Sequence, residues 1–424
     1  MKVLLVSANT ERITMPTLPL GLGLVAAAAR KAGYEVGFLD LESEPDSQSA
    51  LRAAVEQGSP DVIGISVRNI DDQEMESPRF LLEPVKAVIA ACRALSQAPV
   101  VLGGAGYSIF PDAALASLGA DMGVCGEGEV VFPALLSRLQ TGQDPSDLPG
   151  VHVAGRDHRT ERAFAKNLDD LPFPVDDVWR SADPTDPELW IPVQSRRGCP
   201  LDCSYCSTPQ IEGRSVRARS TRRVAEGIAR LVKTGFRRFQ FVDNTFNLPP
   251  SYALELCRWI GALRLNIVWR CILYPHHVPE DLVAAMAGAG CAEVSLGFES
   301  GCTRILRRMN KRFEPGEVRS ISEGLAAHGI RRQGFLLLGG PGETRESVEE
   351  SLAFAGSLNL EMLKITLGIR IYPHTPLAST ALGEGLIGPE DDLLFPRFYL
   401  VPGLAGWLPA RLTTWREQRG RQAG

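Results

Sequence analysis

Cys199, Cys203 and Cys206, in the stretch SRRGCPLDCSYCSTP from Ser195 to Pro209, put three soft sulfur donors on one short loop. Thiolates of this kind bind iron–sulfur clusters, zinc or copper. A structural zinc takes a fourth ligand nearby, usually from a second Cys or His pair, and no such pair follows at the usual distance. Cys257, Cys271, Cys291 and Cys302 are scattered through helix and strand patterns, where a free Cys behaves as a small apolar residue. His276 and His277 follow Pro275 in what reads as an exposed, solvated loop. Three thiolates on a four-iron cluster leave one iron free to hold a substrate or cofactor.

The loop follows a strand pattern, IPVQSR, and five more strand patterns come after it: RRFQFVD, NIVWRCI, AEVSLGFE, RQGFLLLG and LKITLGIRIY. Helical patterns alternate with them, which predicts a partial (β/α)6 barrel over residues 191–385, its working groups at the C-terminal strand ends. Residues 1–140 alternate in the same way. Short β-branched runs such as KVLLVSA and VIGISV predict a doubly wound, Rossmann-like α/β sheet with its ligand crevice at the carboxyl strand ends. Glycine-rich loops follow three of those strands: GISVRN, GGAGYSIFP and GEGEVVFPALL. Singly each reads as a tight turn; in succession on one edge they favour a large flat ligand. Residues 141–190, rich in Pro and Asp, read as a linker with one small hairpin around VHVAG. Residues 386–424 form a short extension without cysteine. Its aromatics and Pro402 are expected to cap the barrel opening, with the basic tail after Trp415 unstructured.

The Cys199-x-x-x-Cys203-x-x-Cys206 spacing, with Tyr205 before the last Cys, resembles the radical S-adenosylmethionine (SAM) superfamily. That resemblance extends over roughly residues 191–378 and implies a [4Fe-4S] cluster on those cysteines. SAM would chelate the open iron and be cleaved to a 5′-deoxyadenosyl radical. FVDNTFNLPP implies that Asp243 and Asn244 face the site. EVSLGFESGCTRILRRMNK resembles a strand ending in a SAM-contacting glutamate, Glu299, followed by Ser300. GFLLLGGPGET is similar to a segment of members near the methylthiotransferases, although Glu343 and Thr344 also suit a helix cap. The first region resembles the cobalamin-binding domain of B12-dependent members. It implies that Ser66, Gly103, Gly104, Gly126 and Glu127 line the corrin and its nucleotide tail. Arg68 and Asn69 are candidates for the cobalt's lower face, or else belong to a solvent-facing loop. The Asp-x-His-x-x-Gly signature of B12 mutases is missing, and no histidine precedes His152.

The implied function is methylation of an unactivated carbon of a small-molecule or lipid substrate, with an electron donor such as flavodoxin or ferredoxin. Radical cyclisation, rearrangement or carbon–carbon coupling is the alternative within the family; a non-catalytic corrin and cluster sensor is the alternative outside it. Apolar content of 44%, charged content of 22% and a net charge of −5 over 424 residues suit a globular protein and give no electrostatic case for nucleic acid. No run of about 18 apolar residues offers a membrane span. The odd count of nine cysteines fits a reducing compartment, so a cytoplasmic location is expected.

Overall fold

The computed structural model describes residues 1–11, 18–156, 161–174, 179 and 182–422, with side chains as far as 418. Its first half is a six-stranded sheet. Strands β1 (Lys2–Ser7), β2 (Glu35–Asp40), β3 (Val62–Ser66), β4 (Val100–Gly103) and β5 (Met122–Val124) run parallel in the order β2-β1-β3-β4-β5. The runs are apolar on both sides because both faces are covered. Val3 and Leu5 pack under the helices Leu20–Lys31 and Gly128–Thr141, while Leu4 and Val6 face the layer holding Leu51, Val85 and Leu115. A sixth strand, β6 (Val151–Val153), pairs antiparallel with β5 at the edge. The hairpin expected within the linker is therefore a strand of the first sheet. Its sequence, VHV, is too short to reveal the partner, and Val151 is drawn into the core beside Val124 and Leu135.

The second half carries six parallel strands in chain order, β7 (Ile191–Val193), β10 (Arg238–Phe241), β11 (Val268–Leu273), β12 (Cys291–Glu299), β13 (Arg331–Leu338) and β14 (Met362–Leu367). The edge strands β7 and β14 do not pair, so the barrel stays open, as the partial (β/α)6 reading requires. Between β7 and β10 a short antiparallel ribbon, β8 (Arg196–Arg197) with β9 (Arg217–Ala218), clamps the two ends of the cysteine segment. Phe241, Phe246 and Trp269, all fully buried, pack ring against ring at 5.0–5.2 Å beneath that segment.

The halves share an interior. Leu102, Tyr107 and Phe110 of the first sheet's side join one apolar cluster with Cys302, Ile305, Ile369, Ile371 and Tyr399 from the second half. Across the same boundary Arg370 meets Asp71 at 2.8 Å, with side chains 2% and 1% exposed. Arg370 lies on β15 (Ile369–Arg370), which pairs with β16 (Phe398–Tyr399).

The C-terminal expectation needs correcting. Leu400 and Val401 do reach the end of β13 at Gly339, but the chain then forms a helix, Leu408–Gln422, that continues through Trp415. Buried Leu408 and Leu412 seat it on the barrel's core, and Arg411 grips Glu349 on the neighbouring helix at 2.5 Å. The tail after Trp415 is thus helical, not unstructured.

Candidate active site

The cysteine loop is built from its floor upward. Asp243, at the end of β10 and 1% exposed, accepts the backbone N–H of Ser195 at 2.7 Å and of Arg196 at 3.0 Å, together with the Ser195 hydroxyl. The Arg196 guanidinium closes the pair at 3.2 Å and also donates to the Phe246 carbonyl at 2.6 Å. Asp243 therefore shapes the loop from behind, in contrast to the expectation that it faces the site. Its acceptor capacity is filled before a ligand arrives. Neighbouring Asn244 donates to Glu212 at 2.6 Å, and Glu212 in turn accepts the Gly198 N–H at 3.0 Å. Burial raises the Glu212 carboxyl above its ordinary range against the opposing pull of Gly198 and Arg197.

Cys199 is buried; Cys203 and Cys206 are half-buried. Burial pushes the Cys199 thiol up to about 11 and raises Cys203 as well, the latter opposed by the ammonium of Lys311. Iron binding would supply the driving force for deprotonation. Among the described residues, no three His, Cys, Asp or Glu groups converge on a single ion. A cube differs from a closed zinc site in this respect, since each thiolate takes its own iron corner. The donor set fits a cluster with three protein ligands.

Glu299 ends β12 in a left-handed conformation at φ +60°, next to a register shift against β13. Its carboxylate stands 3.4 Å from Lys311 Nζ. Tyr205 lies 5.2 Å from the same ammonium, measured to the ring centre. Tyr205, Glu299 and Cys203 are thus gathered around one lysine that the sequence reading quoted within RRMNK but did not single out. Ser300 is fully buried, with its hydroxyl 2.8 Å from that of Ser351 and accepting the Cys302 N–H. It braces the turn after β12 and does not reach the site. Glu343 accepts the Gly339 and Gly340 N–H groups inside its own loop, and Thr344 caps the following helix.

A cavity of about 440 Å³ opens where the carboxyl strand ends of the first sheet meet the barrel. Ser66, Arg68, Gly103, Gly104, Gly126 and Glu127 all line it, opposite Pro192, Gln194, Arg197 and Glu212. Asn69 lines an adjoining recess shared with Ser66 and Arg68. Arg68 keeps accessible surface while protein crowds around it, and that desolvation lowers its pKa. Gly104 adopts φ +104°, and a Cβ there would come within 2.5 Å of the Val67 carbonyl oxygen. The tight approach lays the cavity wall bare, as a flat cofactor needs. Glu127 borders the cavity, yet its carboxylate is committed to Arg217 at 2.6 Å and the Ala165 N–H at 2.6 Å. It holds the wall together. His152 belongs to the first sheet after all, but it meets Asp112 at 2.8 Å and is not among the residues lining the cavity. The first half therefore fits a corrin without a histidine ligand from this strand.

With that geometry in place, similarity to known proteins decides the family. The model of the radical SAM superfamily matches residues 193–355, and that of the B12 binding domain matches residues 6–136. The chain belongs to the radical SAM superfamily and carries a B12 binding domain. As a radical SAM protein it is similar to an uncharacterised methyltransferase of Pyrococcus horikoshii, 26% identical over 91% of this chain and 84% of that one. It is also 26% identical to the cytidylyl-2-hydroxyethylphosphonate methyltransferase of Streptomyces wedmorensis, over 92% and 84% of the two chains. A radical SAM methyltransferase from Kitasatospora setae, solved with its tryptophan substrate and a SAM analogue, has the same fold. Its TM-score is 0.85 at 23% identity, covering 98% of this chain and 88% of that chain. Among the described residues no helix is long and apolar enough to cross a membrane.

Proposed function

We propose that this chain is a cobalamin-dependent radical SAM methyltransferase acting on a small molecule. The observation that carries the reading is the cavity joining the glycine-lined strand ends of the first sheet to the barrel beside the cysteine loop. When bound, the cluster, SAM and cobalamin supply a SAM-derived radical and a transferable methyl group. The chain's residues hold and shield them. Cys199, Cys203 and Cys206 ligate the cluster, while Tyr205, Asn244 and Glu299 border SAM, and Asp243 and Ser300 stiffen the segments behind them. Ser66, Arg68, Gly103, Gly104 and Gly126 cradle cobalamin, with Asn69 alongside and Glu127 bracing the wall. Relatives named as methyltransferases of tryptophan and of cytidylyl-2-hydroxyethylphosphonate, each matched over most of both chains, support a small-molecule substrate. A flavodoxin- or ferredoxin-like donor would deliver the electron, and nine free cysteines suit a reducing cytoplasm.

The test is anaerobic reconstitution with iron, sulfide and cobalamin, followed by incubation of candidate substrates with methyl-deuterated SAM. A product heavier by one labelled methyl group is expected. A rearranged, unlabelled product would assign a different radical outcome, and corrin and iron retention without any SAM-dependent product would turn the protein into a sensor.

A further inference from the structure

The buried ammonium of Lys311 is the strongest feature that the methyl-transfer reading leaves unexplained. The side chain is 4% exposed. Three ring centres surround Nζ, Tyr205 at 5.2 Å, Tyr274 at 5.7 Å and Phe313 at 5.9 Å, and Glu299 is its carboxylate partner at 3.4 Å. A lysine so enclosed is held in place by cation–π attraction and one charge partner, so its position is set by the fold and not by solvent. The turn that carries it is pinned to the cysteine segment. Ser204 N–H donates to the Met309 carbonyl at 3.1 Å, Asn310 donates to the Asp202 carbonyl at 3.0 Å, and Arg312 N–H donates to the Tyr274 hydroxyl at 2.8 Å. These bonds fix the turn against the cysteine segment, where the ammonium interacts with Cys203 as well as with Glu299.

We infer that Lys311 is a positioning residue that sets the reduction potential of the cluster through its charge at the Cys203 corner, with Glu299 as the counterweight. The inference rests on the proposed ligation of a [4Fe-4S] cluster by Cys199, Cys203 and Cys206. One-electron reduction adds a negative charge to the cluster, and a fixed cation beside a ligating sulfur favours the reduced form. Removing the cation makes reduction harder; removing the carboxylate that partly neutralises it makes reduction easier. The two effects have opposite signs, which loosened packing at either site does not produce.

The experiment is an EPR-monitored redox titration of the full-length, cobalamin-loaded and reconstituted chain without SAM. At a fixed poise, Lys311→Met should lower the ratio of reduced to oxidised cluster roughly tenfold, equivalent to about 59 mV for one electron. Lys311→Arg should keep the ratio near that of the parent, and Glu299→Gln should raise it. If Lys311→Met fails to load a cluster, the comparison of Lys311→Gln with Lys311→Arg reads the same charge. A loaded neutral variant with an unshifted ratio overturns the inference and leaves Lys311 to act on SAM alone. A parent chain that takes up no four-iron cluster overturns the functional reading instead.

Discussion

Arg197, two residues before the first cysteine of the loop, reaches Glu129 of the first half at 2.5 Å, with side chains 8% and 4% exposed. The same guanidinium lies 3.4 Å from Glu127. The residue that starts the cysteine segment is therefore tied to the wall of the interdomain cavity. Breaking such a pair strands a charge in a dry place. Arg197→Met should cost about 3–5 kcal/mol by denaturant titration. Joint replacement of Arg197 and Glu129 by apolar residues should restore much of that loss, because Glu127 keeps Arg217 at 2.6 Å. A single variant as stable as the parent would show the tie to be idle.

Cys199, Cys203 and Cys206 should act as an all-or-none set in iron binding. Serine at any one of them should bring iron and acid-labile sulfide close to background after reconstitution. Cys257→Ser is the matched control. Cys257 is only 2% exposed, packs in the barrel core and should leave iron content unchanged while lowering stability. Equal iron in the Cys203 and Cys257 variants would count against the assignment.

Gly104→Ala should weaken corrin binding at least about tenfold in equilibrium dialysis, with the folded fraction largely preserved. The reasoning is steric. The added methyl group meets the Val67 carbonyl oxygen and the backbone stands at φ +104°, a strain of about 1–3 kcal/mol. Relief comes from moving the loop that carries Arg68, the cavity's cationic wall. Unaltered cobalamin retention would remove this loop from the binding site.

Burial pushes the Glu343 carboxyl up to about 7, only partly offset by the Gly339 and Gly340 N–H groups. In the unfolded chain it titrates in the ordinary carboxylate range, so the folded form binds the extra proton between those two values. Its contribution is full below about pH 4.5 and is lost as pH rises through about 7, a swing of about 3 kcal/mol. Glu343→Gln should flatten that part of the stability–pH curve and make the protein relatively more stable at pH 8. A parallel curve for the two proteins would be falsifying.

Periodicity and turn chemistry were enough to reach both sheets, the six strands of the second and the loops that border the cavity. All three came from short-range pattern: buried parallel strands read as apolar runs, and the glycine loops follow them directly. What escaped the sequence was direction and distance. Asp243 and Ser300 sit next to site positions, yet their side chains turn inward to Ser195, Arg196 and Ser351, and nothing in FVDN or FESG tells which way they point. Glu127 paired with Arg217, 90 residues away, so its carboxylate was spent on a partner no local window contains. Lys311 was visible only as one cation in RRMNK; its enclosure depends on Tyr205 and Tyr274 arriving from the cysteine loop and the end of β11. The helix through Trp415 was missed because its polar letters hide the two leucines, Leu408 and Leu412, that anchor it.

The apolar cluster that runs unbroken from Leu102 and Phe110 to Ile369 and Tyr399, sealed by Asp71 and Arg370, bears on how such proteins can be recombined. Grafting the corrin-type half of one relative onto the barrel of another would leave mismatched side chains along this seam and an orphan ion inside it. Exchange between lineages would be tolerated only if both sides of the seam travelled together, making the pair one heritable unit despite its two folds.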